Sequence, residues 1–158
     1  MLVAHGGPTI APAGYVSAGF TPPFFVIPYD VRLGYTSPDN FGKCIWWFCI
    51  ECSVLKDGSY TYWAQILTGL HQMLGFGGDA VIAVGDLDQL AMRLTGTGGY
   101  PRQTIWHSFY DTFRVNDGIH NNNLPRTLVE EASVYYDYIN SYNSTITVTG
   151  SKYLYTAR

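Results

Sequence analysis

The stretch FGKCIWWFCIECSVLKDGSYTYWAQIL, residues 41–67, holds all three cysteines, three of the four tryptophans and one tight-turn dipeptide, Asp57-Gly58. Asp-Gly between two runs rich in aromatic and β-branched residues is a strong two-residue turn signal, so residues 43–67 are predicted as an antiparallel hairpin. Leu55 then opposes Tyr60, Cys52 opposes Trp63 and Phe48 opposes Leu67. One face carries Trp46, Phe48, Ile50, Cys52, Val54, Trp63 and Leu67. The other carries Lys43, Glu51, Ser53, Tyr60 and Tyr62, the alternation of a sheet covered on one side.

On such a strand Cys44 and Cys52 share a face roughly 26 Å apart and Cys49 points the other way. A disulfide needs Cα atoms within about 7 Å, and a tetrahedral metal needs converging thiolates. The C-x₄-C-x₂-C spacing therefore reads as three separate small thiols, and no metal or cofactor is expected.

Outward from this stretch, Asp86 is placed to cap a helix over residues 86–95, with Leu87, Leu90, Ala91 and Leu94 at helical spacing and Gly96 past its end. Residues 103–115 alternate imperfectly and read as a strand. Asn123, Pro125, Leu124, Leu128, Ala132, Tyr135, Ile139 and Tyr142 predict a second helix over 124–142. Gly150-Ser151 centres a terminal hairpin over 145–157. Pro8, Pro12, Pro22, Pro23, Pro28 and Pro38 exclude long helices and central strands before residue 40. The expected fold is α+β and β-rich: an antiparallel sheet built from hairpins 43–67 and 145–157, two packed helices, an extended arm (1–40) and one globular domain (41–158).

Composition narrows the function classes. Charged residues make up 13% of the chain, against about 25% in typical domains, and aromatics reach 16%. The net charge of −3 leaves little with which to neutralise a phosphate backbone, so direct nucleic-acid binding is not expected. The strongly apolar run Ile45–Ile50 is far short of the roughly 20 residues that span a bilayer, and no signal peptide is apparent in MLVAHGGPTIAPAG. Asn143-Ser144-Thr145 fits a glycosylation acceptor that matters only after secretion.

Candidate chemistry is sparse. His5, His71, His107 and His120 stand in unrelated contexts with no zinc-type spacing. Gly75–Asp79 and Thr95–Gly99 are glycine-rich without the lysine of a phosphate loop and read as turns. No catalytic residue is assigned and an enzyme is not expected. The alternative is a small hydrolase in which a helical turn sets His107 beside Asp111 as base and orienting acid. The arm residues Phe20, Phe24, Phe25, Ile27 and Tyr29, with Tyr135, Tyr138, Tyr142, Tyr153 and Tyr155, supply large amphipathic area of the kind interfaces use. They predict a self-assembling structural subunit, such as a virion or phage coat, decoration or tail protein or a surface filament. Its partners are copies of itself and other proteins of the assembly, with the arm and edge strands reaching onto neighbours. A glycan-binding aromatic platform is the third reading. No motif is specific enough to assign a family.

Overall fold

The computed structural model describes residues 2–6, 16–17, 25–26, 44–58, 60–64, 67, 70–114, 120, 122–129, 135–142 and 153–156. They form a small α+β fold. Strand β1 is Leu2–Gly6, β2 Val16–Ser17, β3 Phe25–Val26 and β4 Trp46–Glu51. Helix α1 (Tyr60–Trp63) follows, then β5 (Gln72–Phe76), α2 (Asp86–Thr95), α3 (Ile105–Phe113), β6 (Pro125–Val129) and β7 (Tyr153–Thr156). The main sheet runs β1-β4-β5-β6-β7, while β2 and β3 pair separately.

The sheet is mixed, not antiparallel. β1 pairs parallel with β4, and β4 parallel with β5, while β6 and β7 are antiparallel additions. The expected 43–67 hairpin is therefore corrected. Gly58 takes the left-handed conformation its turn needs (φ 86°), but the chain continues into α1 rather than a returning strand.

The physical reason is burial on both faces of β4, where Trp46, Trp47, Phe48, Cys49 and Ile50 are all buried. Trp47 and Cys49 belong to a cluster with Val54, Leu55, Trp63 and Met73. Trp46, Phe48 and Ile50 face a second cluster under α2 and α3. A doubly covered strand of this kind takes parallel neighbours. Trp63 accordingly meets Trp47 edge-on, with ring centroids 5.3 Å apart, and not the opposite face as expected.

Helix α2 has the expected bounds, and Gly96 closes it in the left-handed region (φ 73°), donating to Met92 O at 2.8 Å. Residues 105–113 are a helix, not a strand. Thr104 caps it by accepting the His107 amide at 3.2 Å, and Ile105, Phe109 and Phe113 recur every fourth residue with no exposure.

The predicted 124–142 helix is corrected to β6, buried along its whole length, followed by a single 3₁₀ turn at Tyr135–Tyr136 and a Tyr138–Ser141 bridge. Pro125 starts a strand, one of the few places in a sheet that tolerates a missing donor. β7 closes on β6 as a terminal strand can, and the first half of the predicted 145–157 hairpin lies outside the described residues.

Residues 2–6 of the predicted arm pair with the chain's own β4 as an edge strand. Phe25 sits in β3 opposite Ser17. Phe20, Phe24, Ile27 and Tyr29 lie outside the described residues. Among the described residues no helix is long and apolar enough to cross a membrane.

Candidate functional site

In sheets with parallel strands, ligands bind in the crevice beyond the strands' carboxyl ends. Here β1, β4 and β5 end together, at Gly6, Glu51 and Phe76. The register aligns His5 with Ile50 and Gly6 with Glu51, and Cys52 follows at once. Residue 5 and Cys52 therefore stand at the same edge of the sheet, on neighbouring segments of backbone.

The chain turns sharply after Cys52. Ser53 has φ 58°, a left-handed conformation no other described non-glycine residue adopts, and such strain concentrates at functional turns. The turn is tied to the end of β5 by Ser53 N–H to Gly78 O at 2.8 Å and Leu55 N–H to Phe76 O at 2.9 Å. Arg126 of β6 holds it from beneath, its guanidinium donating to Leu55 O at 2.8 Å and to Asp57 Oδ1 at 2.7 Å. Gly77 makes room for that guanidinium, since a Cβ there would sit 2.4 Å from Arg126 Nε.

Cys52 itself is half-buried. The Ala80 N–H donates to its Sγ at 3.2 Å, and the thiol lies 3.7 Å from Ala80 O. Asn123, 1% exposed, holds the next residue: Val81 N–H donates to Asn123 Oδ1 at 2.7 Å and Asn123 Nδ2–H to Val81 O at 2.9 Å. Asp86 closes the same segment, accepting the Ala83 amide at 2.5 Å and lying 3.0 Å from His120 Nε2. Asn123 thus binds a loop rather than capping a helix, and Asp86 is the first residue of α2 behind Gly85.

A second buried pair lies at the opposite, amino end of β4 and β5. Trp46 Nε1–H donates to Asp137 Oδ2 at 3.0 Å, and His71 Nδ1 is 2.6 Å from the same oxygen. Asp137 O also accepts the first amide of α3, from Ile105, at 2.7 Å. Tyr142 stands edge-on to both rings, 5.0 Å from Trp46 and 5.9 Å from His71. The cluster ties β4, β5 and α3 together. The described residues hold no group of three His, Cys, Asp or Glu able to bind a metal, and no disulfide joins the three cysteines.

The residues singled out from sequence scatter. His107 and Asp111 share a helix but not a bond: His107 Nδ1 is 2.9 Å from Thr104 Oγ1, while Asp111 accepts from Gln103 and lies 3.6 Å from Arg93. Tyr135 is half-buried against Trp106 and His107. Tyr138 and Tyr142 are exposed. Tyr153 and Tyr155 pair in β7 with Val129 and Thr127. Sequence reasoning missed that residue 5 and Cys52 come to one edge of the sheet. The available signal was a cysteine and a histidine each closing a short apolar run, LVAH and WWFCIEC.

No protein-family description matches the chain, and no solved structure does. The chain is similar to a protein of Archaeoglobus fulgidus described as uncharacterized, with 42% identity over 159 aligned residues. The match covers 99% of this chain and 60% of that protein, so the chain spans well under two thirds of its relative's length.

Proposed function

We infer that this chain carries a thiol-nucleophile centre for acyl transfer, with Cys52 as nucleophile and His5 as its base. The carrying observation is the parallel β1–β4 register, which brings His5 and Cys52 to the same carboxyl edge of the sheet. The strained Ser53 turn supports it, because a nucleophile at a sharp strand-end turn stands clear of the sheet.

In the reaction, the imidazole takes the thiol proton and the sulfur attacks the carbonyl carbon of an amide or ester. The carbon–sulfur bond forms, the leaving amine or alcohol departs with the proton returned by the imidazolium, and water then cleaves the thioester to acid and free thiol. Screening the purified chain against ester and peptide-amide libraries tests this. Turnover that disappears in both Cys52→Ala and His5→Ala supports the reading, and turnover that survives Cys52→Ala refutes it.

Self-assembly is the second reading, favoured by the two outer strands of the sheet, β1 and β7, and by the exposed rings of Tyr138 and Tyr142. Among the described residues each outer strand is paired along one edge of the sheet, and a strand edge can take a strand of a neighbouring copy or of another protein of an assembly. Light scattering on the eluting full-length chain distinguishes large oligomers from a monomer.

A further inference from the structure

The segment from Ala80 to Asp86 runs beside Cys52, with Ala80 and Ile82 packed half-buried against the apolar cluster under α2 and α3. Val81 and Val84 are exposed. Polar groups hold the backbone between them. The Asn123 side-chain amide takes both the N–H and the C=O of Val81, as a neighbouring strand would. Asn123 is in turn anchored through its own backbone, donating to His120 O at 2.9 Å and accepting from the Arg114 guanidinium at 2.7 Å. Two residues beyond Val81, Ala83 N–H donates to the Asp86 carboxylate, beside His120.

The peptide unit adjoining this clamp is the one that touches the sulfur. Ala80 N–H points at Cys52 Sγ, and the peptide that joins Ala80 to Val81 carries the N–H held by Asn123. That same planar peptide carries the Ala80 C=O, 3.7 Å from the Cys52 sulfur, so the constraint reaches the thiol within one rigid unit.

We propose that Asn123 is a positioning residue for Cys52, acting through the Val81 backbone to hold the Ala80–Val81 peptide against the sulfur. This rests on the nucleophile reading above, because it assigns Asn123 a role in how the thiol reacts. Asn123 touches neither the thiol nor an acyl group and is not itself catalytic.

The test reads the reactivity of individual thiols in the full chain. Two probes are used, p-nitrophenyl acetate for acylation and iodoacetamide for alkylation, with mass spectrometry assigning each product to Cys52 or Cys44. Cys44, also half-buried but at the amino end of β4, is the internal control. Asn123→Ala is expected to lower Cys52 acylation at least fivefold with Cys44 unchanged. Asn123→Asp keeps the acceptor for Val81 N–H and loses the donor to Val81 O, so it is expected to give a smaller fall.

Loss of fold integrity alone would raise both thiols together, and that result, or an unchanged Cys52 in a folded variant, overturns the proposal. Amide hydrogen exchange on the unmodified chain supplies a readout that needs no variant. The Val81 and Ala80 amides are expected to be protected together, and fast exchange at Val81 overturns the clamp. If Cys52 takes no acyl group even in the unmodified chain, the nucleophile reading fails, while the exchange data still decide whether the clamp exists.

Discussion

Replacing Gly75 with Ala tests how the chain folds around the end of β4. A Cβ at Gly75 would lie 2.4 Å from Val54 Cγ1, 3.3 Å from Cys49 O and 3.4 Å from Leu55 Cγ. Carbon atoms prefer about 3.5–4.0 Å, so the first contact is short by more than an ångström. The methyl it meets belongs to a stiff, fully buried valine. Overpacking of this kind costs about 1–3 kcal/mol.

Val54→Ala alone is also destabilising, because it leaves a small cavity in the cluster around Trp47 and Trp63. The two changes together relieve each other: the new methyl at residue 75 occupies part of the space the valine vacates. Urea unfolding of the wild type, both single variants and the double variant should therefore give a double variant more stable than the sum of the singles, by about 1 kcal/mol or more. At this chain length that corresponds to roughly 2–4 °C in Tm per kcal/mol. Additive single effects would refute the contact, and with it the folding of residues 52–55 back over β5. A 43–67 hairpin predicts no coupling between residues 54 and 75.

The other predictions concern the polar groups. Asp137→Ala removes the acceptor shared by buried Trp46 and His71, and leaving a buried donor without a partner costs about 1–3 kcal/mol; a loss below 1 kcal/mol in chemical denaturation would contradict the tie between β4, β5 and α3. His107→Ala exposes nothing buried, since His107 lies at the surface of α3 beside its cap. Its stability should change by less than about 1 kcal/mol, and any Cys52-dependent turnover should persist, whereas loss of turnover would restore the His107–Asp111 hydrolase.

How much of this was legible in the sequence depends on how local each signal is. Helix α2 was readable because its apolar spacing and the Gly96 stop both lie within it. β4 was recognised as a strand, but its partner was not. The apolar run Ile45–Ile50 looks the same whether one face is buried or two, and the Asp57-Gly58 turn signalled a nearby partner when the true partners are β1 and β5.

β6 was misread because Leu124 and Leu128 satisfy a four-residue spacing and a two-residue spacing alike, and only burial between β5 and β7 selects the strand. α3 was misread because the alternation in QTIWHSFYDTFRV hid the Ile105, Phe109 and Phe113 stripe.

The candidate site was the least legible part. Geometry along one strand set the three thiols apart from one another, but it carried no information about what the neighbouring strand would bring. His5 lies in a proline-rich segment whose composition argued for an arm, and the parallel pairing of Leu2–Gly6 is a long-range event that no local pattern announces. The same holds for Asp137 with His71 and for Asp86 with His120, which meet across strands and loops far apart in the chain.

The central claim is that the sheet's carboxyl edge activates the Cys52 sulfur with the help of His5. Intact-mass and peptide-level mass spectrometry after a brief exposure to p-nitrophenyl acetate tests it most directly. The account predicts one acetyl group, carried as a thioester on Cys52, which turns over in the wild type and forms far more slowly in His5→Ala. Labelling spread over Cys44 and Cys52 alike, at a rate indifferent to the residue at position 5, would contradict it.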